Sequence, residues 1–170
     1  LGYPDGASGG DHVTEIIDHH PIALEGFDGY LVDFMKKKRL NVDDIKLLPP
    51  GEGWLLVEFG ADTMDEAAGR ARGLMDALGH GKDAPAMKLF TDRRDQERMW
   101  TVRESGLAGA AIIPGVGYAW SGWEDSAVRP DQMGPYLRDF RRLMDDFGYQ
   151  GAMYGHFGHG CLHIRITRVV

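Results

Sequence analysis

Residues 153–166 alternate apolar and polar side chains so strictly that a β-hairpin is the fold they specify. Met153, Phe157, Leu162, Ile164 and Ile166 fall on one face; Tyr154, His156, Cys161, His163 and Arg165 fall on the other. A period of two is the signature of a strand with unlike faces. A two-residue turn at His159-Gly160, with Gly160 supplying a positive φ, would set Gly158 opposite Cys161, Phe157 opposite Leu162 and His156 opposite His163. Directly opposed side chains stand about 5 Å apart at Cβ. That spacing suits two imidazoles sharing one metal ion.

The rest of the chain reads as one soluble α+β domain over residues 1–170. It is 43% hydrophobic and 26% charged, with a formal net charge of −7. This is long enough for a real core. The acidic balance argues against a nucleic-acid surface. The one basic cluster, Lys36-Lys37-Lys38-Arg39, reads as the solvated end of a helix. A single cysteine excludes an internal disulfide and fits a reducing, cytoplasmic compartment. No apolar run approaches the length of a membrane span, and no secretory signal opens the chain. The start at Leu1 and the strand-like end at Val170 read as a piece of a longer protein.

Residues 1–10 are glycine-rich and read as loop, with Asp11 as a helix cap before Val13, Ile16 and Ile17. Pro21 to Glu25 reads as a short strand, and Asp28 as the cap of a helix from Gly29 to about Arg39. Asn41 to Gly53 reads as loop. Trp54 to Phe59 is the strongest strand pattern, apolar enough for the sheet centre. Thr63 to Glu66 is a capping box, leading a helix that ends near Gly79. Ala86 to Phe90 reads as a strand, and a helix follows from Asp92. Glu124 to Val128 reads as a strand. Pro130 opens the most regular helix, with Met133, Tyr136, Leu137, Phe140, Leu143, Met144 and Phe147 at helical spacing and Gly148 at its end. The sum is an antiparallel sheet with helices on one face, assembled from ferredoxin-like units.

Four groups could carry chemistry. His156 and His163 are candidate ligands of a divalent metal, or histidines that hydrogen-bond and pack a turn. A catalytic metal takes three protein ligands and an open position, so two imidazoles leave the set incomplete. Cys161 shares their face, and His159 lies in the turn. Arg103, in Trp100-Thr-Val-Arg103-Glu104, could fork onto a substrate carboxylate, or close a salt bridge at a helix end. Glu124 and Asp125 are adjacent on a strand, so they should point to opposite faces and not form a dyad; one could orient Arg103 or a histidine. Gly79-His-Gly81 and Gly115-Val-Gly117 continue into neither a Walker lysine nor a dinucleotide-binding helix. No Gly-x-Ser-x-Gly elbow is present.

Together these segments resemble the C-terminal cap, or substrate-binding, domain of FAD-linked oxidases of the D-lactate dehydrogenase and glycolate-oxidase-subunit type. The likeness is carried by Trp100-x-x-Arg103-Glu104, by Glu124-Asp125-x-Ala127-Val128 before a long helix, and by Gly155-His156-Phe-Gly-His159-Gly-Cys161-Leu-His163. The family's usual form of the last is Gly-His-x-Gly-Asp-Gly-Asn-Leu-His, so His159 and Cys161 depart from it. Trp123 stands where some members place a substrate-binding lysine. The resemblance implies an antiparallel cap domain packed over a separate flavin-binding domain of the same parent chain. It implies Arg103 as the holder of the substrate carboxylate. It implies His156 and His163 as ligands of zinc or a similar ion in metal-dependent members, with a glutamate beyond Val170 as the third. One branch of the family is fused to iron–sulfur domains.

The function expected from this resemblance is oxidation of a D-2-hydroxy acid, lactate- or glycolate-like, to the 2-oxo acid. Arg103 would fix the carboxylate. His156 and His163 would be the catalytic pair, either holding a metal that lowers the hydroxyl pKa or acting as the base; one nitrogen cannot do both. FAD would be bound by another domain, leaving this chain inactive alone. Attachment to the inner membrane would at most be peripheral, through the parent. Two alternatives from other classes are a ferredoxin-like metal-binding or regulatory module without redox chemistry, and a small metal-dependent hydrolase.

Overall fold

The computed structural model describes residues 1–113 and 117–168. Four of the described helices, α1, α3, α5 and α6, begin where a side chain caps them. Asp5 accepts from the Ser8 amide and starts α1 (Gly6–Asp11), which leads to α2 (Val13–Ile17). Asp28 accepts from the Leu31 amide and starts α3 (Gly29–Lys38). A short α4 follows (Val42–Ile45). Thr63 accepts from the Glu66 amide at 3.3 Å and starts α5 (Met64–Leu78). Asp92 caps α6 (Arg93–Glu104), which passes into α7 (Gly106–Ala111). Pro130 opens a 3-10 turn that runs into α8 (Met133–Asp146), and Gly148 leaves it at φ +68°. These oxygens satisfy amides that a helix start otherwise leaves unpaired.

The strands are β1 (Gly2–Tyr3), β2 (Ala23–Asp28), β3 (Gly53–Glu58), β4 (Ile112–Ile113), β5 (Gly117–Tyr118), β6 (Trp120–Ala127), β7 (Tyr149–His156) and β8 (Cys161–Arg168). Among the described residues they form one six-stranded sheet, ordered β1-β3-β2-β7-β8-β6, and a small β4-β5 ribbon. Every ladder is antiparallel. The expected α+β class and antiparallel sheet are borne out.

Alternation along β2, β7 and β8 splits the interior into two cores. Leu24, Met153, Leu162 and Ile164 meet the apolar stripe of α8 (Met133, Leu137, Phe140, Met144) and the residues Leu74 and Leu78 of α5. Phe27, Ala152 and Tyr154 on the opposite face meet Leu31, Phe34 and Met35 of α3 and Met99 and Val102 of α6. The helices therefore divide between two faces, where the sequence reading gathers them on one. The reason lies in β2 and β7: both faces of each carry large buried residues, so each face needs a cover.

Other local expectations also change. Residues 1–10 hold β1 and α1 rather than loop, and Asp5, not Asp11, caps the first helix. Ala86 to Phe90 makes only an isolated bridge, Gly2 to Ala86, because β1 is too short to extend a ladder there. Residues 114–116, including part of the Gly115-Val-Gly117 cluster, lie outside the described residues.

Asp28 locks the two layers together. Its carboxylate caps α3, accepts from the Met153 amide at 3.1 Å, and pairs with Arg141 of α8 at 2.6 Å. Arg141 also stacks over the Tyr30 ring and donates to the Gly151 carbonyl. Burial pushes the Asp28 carboxyl up to about 6, outweighing the downward pull of Arg141 and the two backbone amides. An unfolded aspartate ionises near 3.9, so between about 4 and 6 the folded chain binds more protons than the unfolded chain. The contribution of this group to stability is complete below about pH 4 and is lost as pH rises through 6. Urea unfolding at pH 4.5 and pH 7.5 is expected to show the native chain gaining stability relative to Asp28→Asn at the lower pH.

Candidate functional site

The turn between β7 and β8 is longer than two residues. Phe157 to His159 form a 3-10 turn and Gly160 closes it at φ +70°, as its position in the turn leads one to expect. The register therefore shifts by two: His156 opposes Cys161, and Tyr154 opposes His163. This corrects the expected pairing of His156 with His163. A two-residue shift keeps every side chain on its face, so the two histidines still meet diagonally. Their ring centroids are 5.7 Å apart with planes at 80°, and the His163 ring lies 5.4 Å from that of Tyr154. His159 is exposed in the turn.

The face is completed by β2. Gly26 pairs with Gly155 and Phe27 with Tyr154, so Glu25 stands beside His156 one step along. A Cβ on Gly26 would run into the Phe157 ring, so that ring lies directly against β2 here. Glu25 is 8% exposed. One of its oxygens lies 2.8 Å from His156 Nδ1; the other accepts from Arg103 Nε at 2.9 Å and pairs with Nη2 at 2.8 Å. Arg103, in the last turn of α6, is also buried, with its Cζ 5.5 Å from the centre of the Tyr154 ring. The salt bridge anticipated for Arg103 is thus present; it engages Nε and Nη2 and does not use Nη1. Sequence reasoning did not single out Glu25. Its signal was a carboxylate inside the apolar run Ala23-Leu-Glu-Gly-Phe27.

On the other flank, β6 carries a bulge. Trp123 pairs with Ile164 and Ser126 with Leu162, so Glu124 and Asp125 together oppose the single residue His163. Asp125 takes up the extra length at φ +57°. Both acids consequently reach one face: Glu124 pairs with Arg165 at 2.5 Å, and Asp125 with His163 Nδ1 at 3.3 Å. The expectation that they point to opposite faces fails because it assumed a regular strand. The buried Arg165 also hydrogen-bonds the Tyr154 hydroxyl, while its Nε finds no partner among the described residues.

Each histidine thus has its Nδ1 against a carboxylate, which leaves Nε2 of both rings to face a ligand. A carboxylate behind an imidazole is the usual support of a metal-binding histidine. Two such donors fit half of a metal site. Among the described residues no third His, Cys, Asp or Glu joins them. Burial lowers the pKa of His163; Arg103 and His156 act the same way, against Asp125 and Glu124. Its lone pair is therefore available at neutral pH. A separate apolar cavity of about 370 Å³ lies between β3 and α5, near Phe90 and Trp100, and none of Glu25, Arg103, His156 and His163 lines it.

A family model described as FAD linked oxidases, C-terminal domain, matches residues 1–170. The chain belongs to this family. Curated relatives include the D-2-hydroxyglutarate dehydrogenases of Pseudomonas putida, 26% identical over 157 residues, and of Haemophilus influenzae, 25% identical over 160 residues. Each of these alignments covers 88% of this chain and 16% of the relative. That of Pantoea ananatis is 35% identical over 85 residues, 46% of this chain and 8% of the relative. The chain thus spans about one sixth of the length of the first two. No described helix is long and apolar enough to cross a membrane.

The His163 imidazole is expected to titrate below 6.5 in the folded chain, measured by NMR of its ring protons. Asp125→Asn is expected to move that midpoint further down, because the aspartate is the main group opposing burial.

Proposed function

We propose that this chain is the substrate-binding part of an FAD-dependent enzyme that oxidises a D-2-hydroxy acid to the 2-oxo acid. What carries the reading is the convergence of Arg103, His156 and His163 on one face, with both imidazoles backed by carboxylates. Arg103 would fix the 2-carboxylate through the Nη1 edge of its fork, which the Glu25 pair does not use, and so set the position of C2. His156 and His163 would present Nε2 to the 2-hydroxyl, directly or through a shared divalent ion such as zinc, and so ease loss of its proton. FAD, which the rest of the parent protein would hold, would supply the acceptor for the hydride from C2. An iron–sulfur module passing electrons onward would also lie outside this chain.

The substrate that fits best is a diacid. Two buried arginines, Arg103 and Arg165, lie on this face, one against the Tyr154 ring and one at its hydroxyl. The relatives are named for 2-hydroxyglutarate, which carries two carboxylates. A lactate- or glycolate-like acid offers only one. The competing metal-binding module without redox chemistry would need a complete ligand set, and the described residues provide two imidazoles.

The test is anaerobic flavin reduction by the intact parent protein. D-2-Hydroxyglutarate is expected to reduce the flavin at least 10-fold more efficiently than D-lactate, and Arg103→Met to lower kcat/KM by about 30-fold or more, the loss of a charged hydrogen bond of about 2–3 kcal/mol. The 170-residue chain alone is expected to purify colourless. No flavin reduction by any D-2-hydroxy acid would overturn the reading.

A further inference from the structure

Glu25 is a carboxylate removed from water at a position where the strand pattern calls for an apolar residue. Such a group is tolerated only when its oxygens are fully engaged. Here one oxygen faces His156 Nδ1, and the other takes Nε and Nη2 of Arg103. The Arg103 contacts require Glu25 to accept, and an ionised carboxylate has no proton to give His156 either. It is a single acceptor-only hub between the two groups that would touch substrate. Its place is fixed by the backbone: the Gly26–Gly155 and Phe27–Tyr154 pairs set the register, and the Phe157 ring fills the space beside Gly26.

The geometry points to Glu25 as a positioning residue that holds His156 in its Nδ1–H tautomer and, through the same carboxylate, fixes the plane of Arg103. With the proton on Nδ1, the lone pair of His156 sits on Nε2 and faces the substrate side. With Nε and Nη2 tied back, Arg103 presents the remaining edge of its fork. Carboxylate recognition and proton handling are then aligned by one side chain that touches neither substrate nor cofactor. Glutamine cannot replace it. An amide that accepts from Arg103 must turn its NH2 toward His156, and Nδ1 must then become the acceptor. Glu25→Gln therefore moves the proton of His156 to Nε2, whereas Glu25→Asp, still acceptor-only, does not.

The catalytic part of this inference rests on the oxidase reading, but the tautomer does not, so the two can fail separately. Long-range ¹H–¹⁵N spectra of the histidine rings, recorded on the metal-free chain at pH 8.5, read the tautomer directly. The expected result is Nδ1–H at His156 in the native chain and in Glu25→Asp, and Nε2–H in Glu25→Gln, with the His163 pattern unchanged. In the intact protein Glu25→Gln is expected to lower kcat by about 10–100-fold, as losing the partner of a ligand-facing histidine does, while KM changes less than threefold because Arg103 keeps its acceptor. A merely structural role would lower the melting temperature of both variants without moving the proton. An Nε2–H pattern at His156 in the native chain overturns the proposal whether or not the variants fold. So does an Nδ1–H pattern in a folded Glu25→Gln.

Discussion

Two unlike cores share one sheet, and the alternation of β2, β7 and β8 keeps them apart. Leu24, Met153, Leu162 and Ile164 are buried against α8 and α5; the residues between them, Glu25, Tyr154, His163 and Arg165, look the other way. Neither face can be moved without the other, because a one-residue slip would drive charged groups into the α8 core. The polar site is consequently as well anchored as the hydrophobic packing behind it. The Asp28–Arg141 contact ties α8 to α3 across the same strands, so both layers hold the strands from which the histidines project.

The site depends on carboxylates placed behind its arginines and imidazoles. Glu25 stands behind Arg103 and His156, Glu124 behind Arg165, and Asp125 behind His163. At the buried Glu25–Arg103 pair and the part-buried Glu124–Arg165 pair each partner compensates for the desolvation of the other, and every pair fixes the direction of the remaining donors or lone pairs. This gives a face whose outward groups are oriented before any ligand arrives, the condition for efficient recognition and proton transfer. The burial that depresses the pKa of His163 belongs to the same arrangement: an imidazole kept neutral has a lone pair to offer.

Much of this was legible in the sequence, for physical reasons. The period-two pattern of 153–166 identified the hairpin and both of its faces, because face identity survives any even shift of register. The exact opposition did not survive: Phe157 turned into the loop, a choice set by its packing beside Gly26 of a strand more than 100 residues away. Arg103, His156 and His163, which the sequence singles out, lie together on one face. Glu25 was missed because a lone acid in a strand acquires meaning only from what lies across the sheet, and sequence order hides that β2 neighbours β7. Glu124 and Asp125 were assigned to opposite faces because a bulge has no reliable mark in the sequence. The two-sided covering of the sheet escaped for a similar reason: local periodicity reveals which face of a helix is buried, not which side of the sheet receives it.

The bulge in β6 has one more effect. β6 is the outer strand of the sheet, and an exposed strand of regular geometry is a template onto which another chain can pair. The left-handed backbone of Asp125 interrupts the row of amides and carbonyls along that edge and leaves an exposed charge in its midst. The distortion that brings two acids to His163 and Arg165 also blunts the rim of the sheet against strand addition and aggregation.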